Sequence, residues 1–208
     1  MSIKIGLISD VHATPEPLRE ALAIFREHNV ATVLCAGDIA GYGTELEETV
    51  ELLIKSECEI ILGNHDVWFL NNPVNKDKKR LISFFRKLPF VREFTVEKKR
   101  LYMVHGSPLR PLGKGVRLLD KDGKILLNQK EHWSRYLEKF ESDVLIVGHT
   151  HQVFAEKLAN TMVINPGSTT YNHTCTVLSL PEMELQILPL SNKVPLMSWN
   201  WGMERHNA

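Results

Sequence analysis

The chain lacks a charge of its own: Lys and Arg number 25, Asp and Glu also 25, and the formal net charge is zero. Nothing in this balance calls for a nucleic-acid partner or an anionic membrane surface, since such proteins carry a clear basic excess. A small phosphorylated substrate remains compatible, because a bound metal supplies positive charge that composition never shows. Long apolar runs are missing too. No stretch approaches the roughly 18–20 apolar residues of a membrane span, and the apolar part of MSIKIGLISDVH is too short for a signal-peptide core. Cysteine is scarce, with only Cys35, Cys58 and Cys175, odd in number and without a CxxC pair. That excludes a disulfide framework and a cysteine-rich zinc site, and it reads as reduced thiols in a cytoplasmic protein. Cys35 and Cys58 lie inside apolar runs and read as small buried hydrophobes. Repeats, low-complexity tracts and Gly/Pro/Ser-rich linkers are absent as well. The 208 residues are therefore expected to form one domain, residues 1–208, with a tail over 194–208.

What is present is a series of short β-branched runs alternating with amphipathic segments. Ile3 to Ile8 reads as a strand, and Pro15 to His28 as a helix with Leu18, Leu22 and Phe25 at helical spacing and Thr14 as its N-cap. Thr32 to Ala36 is the next strand, Glu45 to Lys55 the next helix, and Glu59 to Leu62 the third strand. Lys76 to Lys87 has a helical pattern, Val91 to Val96 and Arg100 to Val104 form a hairpin, and Gly106 to Asn128 is loop-like. A helix over Gln129 to Phe140 and a strand over Val144 to Val147 follow. From Val153 onward the runs Val153 to Lys157, Thr161 to Ile164, Cys175 to Leu180 and Glu184 to Leu188 read as strands. The order is βαβα at first and mostly β at the end, which predicts an α/β protein with sheets packed together and flanked by helices.

The informative feature is how the strands end. IGLIS runs into Asp10-Val11-His12, TVLCA into Gly37-Asp38, EIIL into Gly63-Asn64-His65-Asp66, LYMV into His105-Gly106, and VLIV into Gly148-His149-Thr150-His151. In open α/β sheets the ligand crevice lies beyond the carboxyl ends of the strands, so these distant residues are expected to converge. Carboxylate, imidazole and amide oxygen together suit Mn²⁺, Fe, Zn²⁺ or Co²⁺. Asp10, His12, Asp38, Asn64, His105, His149 and His151 are too many for one tetrahedral ion but fit two if one carboxylate bridges. In Asp-x-His and His-x-His, alternate residues just past a strand face the same way and can grip from one direction. Each fragment alone is commonplace turn chemistry. All five in order, each after a buried strand, are not an accident.

Read together, DVH, GDIAGYG, GNHD, VHGSP, GHTH and NPGS resemble the calcineurin-like metallophosphoesterases, in particular the small bacterial and archaeal phosphodiesterases of that superfamily. The resemblance spans Ile3 to about Leu190. It implies a four-layer α/β/β/α sandwich of two mixed β-sheets. It also implies one divalent ion on Asp10, His12 and His151, a second on Asn64, His105 and His149, and Asp38 bridging them. Mn²⁺ stands first, with Fe, Zn²⁺, Ni²⁺ or Co²⁺ as alternatives. A metal-bridging hydroxide would attack phosphorus in line, with His65 assisting the leaving oxygen and Asp66 either orienting the His65 ring or capping a turn. The implied activity is hydrolysis of small or nucleotide-like phosphodiesters. Phosphoprotein or small-molecule monoester hydrolysis, or a scaffold that has lost its chemistry, are the other readings of this fold.

Tyr42, in Gly41-Tyr42-Gly43, and Arg110, just past Gly106-Ser107-Pro108, are candidate substrate contacts. The NPGS loop, Asn165 to Ser168, is expected to pack beside the pocket without a catalytic role. His28, His132, His173 and His206 fall outside every motif and read as surface or packing residues. Trp199 and Trp201 suggest a tail docked on the body or on another copy of the chain, or else a free one.

Overall fold

A computed structural model describes residues 2–191 and 193–199. Trp201 and His206 therefore lie outside the described residues. Ten strands, β1 (Ile3–Ile8), β2 (Thr32–Cys35), β3 (Glu59–Ile60), β4 (Val91–Val96), β5 (Lys99–Val104), β6 (Val144–Ile146), β7 (Val153–Leu158), β8 (Thr161–Pro166), β9 (Thr174–Leu180) and β10 (Glu184–Pro189), form two five-stranded sheets. The first has the order β10-β9-β1-β2-β3, the second β4-β5-β6-β8-β7. Both are mixed. β1, β2 and β3 run parallel, as do β5, β6 and β8, while β9 and β10 in one sheet and β4 and β7 in the other pair antiparallel.

Three apolar clusters show how the layers stack. Ile5 and Leu7 of β1, Leu34 of β2 and Leu178 of β9 pack against Leu101 and Met103 of β5, Val144 and Ile146 of β6 and Ile164 of β8. These are alternate residues of each strand, and they fill the space between the sheets. The opposite face of the first sheet, with Ile8, Val33, Cys35 and Ile60, is covered by α1 (Pro15–Glu27) and α2 (Leu46–Lys55), through Leu18, Leu22, Phe25, Val50 and Leu53. The outer face of the second sheet, with Val104, Leu145, Val147 and Val163, is covered by Trp133 and Leu137 of α5 (Leu127–Leu137). Helix, sheet, sheet, helix gives four layers, with two mixed sheets at the centre. Gly6 on β1 lets α1 pack closely on the sheet, because a Cβ there would meet the Phe25 ring at 2.8 Å. All three cysteines are free. Burial places Cys35 and Cys175 in the cores and pushes the Cys58 and Cys175 thiols up to about 12.

Two local expectations need correction. Thr14 precedes α1 but makes no side-chain cap; its hydroxyl donates to the His12 carbonyl, tying the helix entry to the strand-end loop instead. The segment after Gly63 is not only a turn: α3 (Asn64–Asn71) starts at once, and a 3₁₀ turn over Pro73–Asn75 separates it from α4 (Lys79–Phe85). No helix among the described residues is long and apolar enough to cross a membrane.

Candidate metal centre

Six parallel strands, three from each sheet, point their carboxyl ends toward the same edge of the sandwich. Asp10 and His12 follow β1, Asp38 follows β2, and Asn64 follows β3. His105 follows β5, His149 and His151 follow β6, and the Asn165–Ser168 loop leaves β8. A parallel bridge between Ser9 and Ser168 and a hydrogen bond from Ser168 Oγ to the Asp10 carbonyl close the gap between the sheets. The Asn165 amide holds the other side by donating to Gly148 O at 3.1 Å and to Thr150 Oγ1 at 3.0 Å.

The loops that carry these side chains are bent hard. Asp10, His12, Asp38, His149 and His151 all have φ between 47° and 67°, in the left-handed region where a Cβ is crowded. Each costs on the order of 1 kcal/mol or more, a price proteins retain mainly at functional sites. Backbone hydrogen bonds hold the bends: Asp10 N to Gly37 O and His12 N to Asp38 O at 3.0 Å, and Gly148 N to His105 O at 2.8 Å. Two glycines make the approach possible. A Cβ on Gly63 would collide with Asp38 Oδ1, and one on Gly148 would run into Ser9 Oγ and come within 2.8 Å of Asp10 Oδ2. Gly148→Ala is therefore expected to lower the melting temperature of the metal-free protein by about 2–10 °C, from an overpacking cost of ~1–3 kcal/mol. Thermal denaturation in chelator checks this, and an unchanged midpoint would show that the loop has room.

The side chains gather in two adjoining sets. In the first, His151 Nε2 lies 3.2 Å from Asp10 Oδ1 and 3.0 Å from His12 Nε2. In the second, Asn64 Oδ1 lies 2.8 Å from His149 Nδ1 and 3.1 Å from His105 Nε2, and His105 Nε2 is 3.2 Å from Asp38 Oδ2. Asp10/His12/His151 and Asp38/His105/His149 each bring their ligand atoms within 4.8 Å of one another, close enough to hold a metal ion. A third such group, His12/Asp38/His65, places Asp38 between the two and His65 at their edge.

The donor chemistry fits a cation. His12 Nδ1 faces the Ala40 carbonyl and His105 Nδ1 the Ala36 carbonyl, at 3.2 and 2.7 Å. A carbonyl only accepts, so each Nδ1 carries the proton and each Nε2 is left for the centre of the site. Burial pushes the His12 ring down to about 4 against the pull of Asp10 and Asp38, so at neutral pH its Nε2 presents a lone pair. Burial raises the Asp10 carboxyl, but the His151, His105 and His12 rings outweigh it and hold Asp10 well below the usual carboxylate range. Asp38, likewise opposed by burial, is lowered chiefly by His105. Burial also opposes a charge on His105, yet Asp38 and Asp10 lift its pKa to about 9. The two carboxylates thus draw positive charge to this spot, and a divalent ion competes for the lone pair that the proton takes.

The remaining candidates fall around this centre. His65 is half-buried, with Nε2 3.2 Å from Tyr42 Oη and its backbone N–H donating to Asp38 Oδ1 at 2.8 Å. Asp66 uses its two oxygens on backbone amides, Ala40 N and Gly63 N, both at 2.8 Å. It caps α3 and staples the β2 loop to the β3 loop, so of its two expected roles the capping one is what the structure shows. Burial and the Asp38 charge push its carboxyl up to about 7 against those two amides.

A cavity of about 830 Å³ opens over the centre, and both Tyr42 and Arg110 line it. So do Trp68, Lys114, Arg117 and His132, none of which the strand-end motifs flagged. His132 had read as a surface or packing residue; its place on α5 turns it to the cavity wall. Trp199 is a wall residue too. The segment before it docks by Val153 N to Met197 O at 2.8 Å and Leu196 N to Asn172 O at 3.1 Å, and Trp199 N donates to His151 O at 3.0 Å. The Tyr171 ring stacks on His151 at 5.4 Å and meets Trp199 at 5.0 Å. Residues 194–199 of the expected tail are therefore part of the body.

Comparison with known proteins agrees with this architecture. The chain is 29% identical over 168 residues to a probable metallophosphoesterase of Methanothermobacter thermautotrophicus, covering 80% of this chain and 77% of the relative. It is 26% identical over 169 residues to a phosphodiesterase of Methanocaldococcus jannaschii, covering 79% and 83%. A crystal structure of a metallophosphoesterase from Sphaerobacter thermophilus superposes with a TM-score of 0.69 at 20% identity, over 92% of this chain and 89% of that one, and shows the shared fold. Residues 3–181 match the calcineurin-like phosphoesterase superfamily domain, so the chain belongs to that superfamily of phosphoester hydrolases.

Proposed function

We propose that this protein is a two-metal phosphodiesterase acting on small, nucleotide-like esters. One observation carries the reading: two groups of ligand atoms share no member, Asp10/His12/His151 and Asp38/His105/His149, Asn64 Oδ1 joins the second, and a third group, His12/Asp38/His65, links them. Asp10, His12 and His151 would hold one divalent ion, Asn64, His105 and His149 the other, and Asp38 both. Bound there, such ions would polarise the phosphoryl oxygens and acidify a water.

The chain's own groups complete the chemistry. His65 sits on the open side of the centre, where a leaving oxygen would emerge. Burial lowers its pKa, so at neutral pH the ring is uncharged and works through a single N–H. Burial raises the Tyr42 hydroxyl, which therefore keeps its proton and, at 3.2 Å from His65 Nε2, can restore one to the ring. Arg110 lines the same cavity, where its guanidinium is available to a phosphate of the substrate.

Protein stripped with chelator and reloaded in turn with Mn²⁺, Fe²⁺, Zn²⁺, Ni²⁺ and Co²⁺ tests this. Two ions per chain are expected by elemental analysis, with bis(p-nitrophenyl) phosphate cleaved faster than p-nitrophenyl phosphate or a phosphopeptide. One ion per chain overturns the two-metal reading. Faster cleavage of the monoester or the phosphopeptide overturns the diesterase preference, and no bound metal at all leaves only a scaffold.

A further inference from the structure

The whole chain is neutral, but the wall of its cavity is not. Arg110, Lys114 and Arg117 all line it, and the sole carboxylate among the lining residues is Asp38, already committed to the centre. Among the described residues none of the three cations takes part in an ion pair, although Lys and Arg elsewhere form ten pairs with acids, such as Arg80–Glu51 and Lys130–Glu156.

The three do not dangle from a loose loop. Gly106 N bonds Pro111 O at 2.7 Å, Gly113 N bonds Arg110 O at 3.1 Å, and Val116 N bonds Gly106 O at 3.3 Å, folding the segment into a knot. Buried Gln152 then clamps its far end, accepting from Leu118 N and Leu119 N at 2.9 and 3.0 Å and donating to Leu119 O at 2.7 Å. Thr150 Oγ1 donates to Val116 O at 3.2 Å, and Gly115 packs so close to His149 that a Cβ there would touch its ring at 3.0 Å. The backbone that carries the three cations is thus held in place relative to the centre.

Part of the lining is apolar and open. Trp68, Leu109 and Tyr42 are 60%, 59% and 53% exposed, and all three line the cavity. The Trp68 and His65 rings lie 4.5 Å apart, which sets the tryptophan beside the reacting centre as a surface for a planar group.

Charge counting decides what this wall is for. Two divalent ions against Asp10 and Asp38 already leave an excess of positive charge facing the one negative charge of a phosphodiester. Three further cations have no work to do on such a substrate. We infer that Arg110, Lys114 and Arg117 form a second anion subsite, and that the substrate is a nucleoside polyphosphate ester, with its base on Trp68 and a phosphate beyond the one attacked on this loop. The inference rests on the phosphodiesterase reading of the centre. One water adds across one P–O bond, leaving a phosphate on one fragment and a hydroxyl or phosphate on the other, with no co-reactant.

The test compares the Mn²⁺-loaded protein on bis(p-nitrophenyl) phosphate, thymidine 5′-(p-nitrophenyl phosphate) and diadenosine di-, tri- and tetraphosphate. The polyphosphates are expected to exceed the thymidine ester in kcat/KM by at least tenfold, mainly through a lower KM. Lys114→Ala/Arg117→Ala should erase that preference. As a readout without P–O–P cleavage, α,β-methylene-ADP should quench tryptophan fluorescence, with an affinity at least tenfold weaker in the double variant and falling with salt. Equal kcat/KM for single- and multi-phosphate substrates, or a preference that survives the double variant, overturns the subsite. Preference for a single-stranded oligonucleotide overturns the nucleoside polyphosphate class. Failure to cleave bis(p-nitrophenyl) phosphate at all would instead strike the phosphodiesterase reading, so the two failures are distinct.

Discussion

His65→Ala is expected to lower turnover of an alkyl phosphodiester about 10²–10⁴-fold, the usual worth of positioned acid–base help, while metal content stays at two ions per chain. The structure makes these two effects separable. What His65 gives Asp38 is its backbone N–H, at 2.8 Å from Oδ1, and alanine keeps that bond. What is lost is the ring and its 3.2 Å contact with Tyr42 Oη. Because the ring serves the departing oxygen, the loss should shrink as the leaving group improves, so p-nitrophenyl esters suffer less than alkyl esters. Steady-state rates on a leaving-group series, with elemental analysis of the same samples, read both quantities. A fall in metal content would make His65 a ligand, as its closeness to His12 and Asp38 permits. An unchanged kcat on the alkyl ester would remove it from the reaction.

Asp38→Asn is expected to be at least as damaging, by another route. The side chain is buried, its volume is conserved, and Oδ1 still accepts from His65 N, so the fold should survive. The charge, however, is what draws a cation to the shared position. Loss of residues that merely support a metal ligand costs about 10–100-fold in metal affinity, so loss of a bridging carboxylate should cost about 10²-fold or more. Titration with Mn²⁺ after chelator treatment measures this. Retention of both ions at wild-type affinity would mean that Asp38 does not bridge them, and the two-metal assignment would need a different pairing.

The centre was legible in the sequence because its residues interrupt apolar strands abruptly. Leu-Ile-Ser-Asp, Leu-Cys-Ala-Gly-Asp and Leu-Ile-Val-Gly-His each switch from buried to polar within one or two positions. A strand end is a local event, so local sequence reports it. α3 was harder. Asn64 follows glycine, which reads as a turn, and the clue that a helix begins there is Asp66 three residues after Gly63, reaching back to the Gly63 N–H at 2.8 Å. The cavity wall was not legible at all, Tyr42 and Arg110 apart. Trp68, Arg117, His132 and Trp199 come from four different elements, and nothing in their neighbours signals which way they face. Their meeting depends on the packing of α5 and of residues 193–199 onto the sheet edges, which only the folded chain supplies.

β1 leads into Asp10 and His12 and is paired on one side with β2, close in sequence, and on the other with β9, from Ile3 opposite Leu180 to Leu7 opposite Thr176. For a chain emerging from the ribosome, the first pairing is available early, whereas the second must wait until β2 to β8 have been made. Throughout synthesis β1 therefore offers one open, apolar edge, the kind of edge that recruits wrong partners. Such distant pairing also makes for slow folding, since the connecting loop must be closed before the contact rewards it. β1 is made before β9 yet is enclosed on both edges only once β9 pairs with it, so the groups at its carboxyl end are expected to reach their final places late in folding.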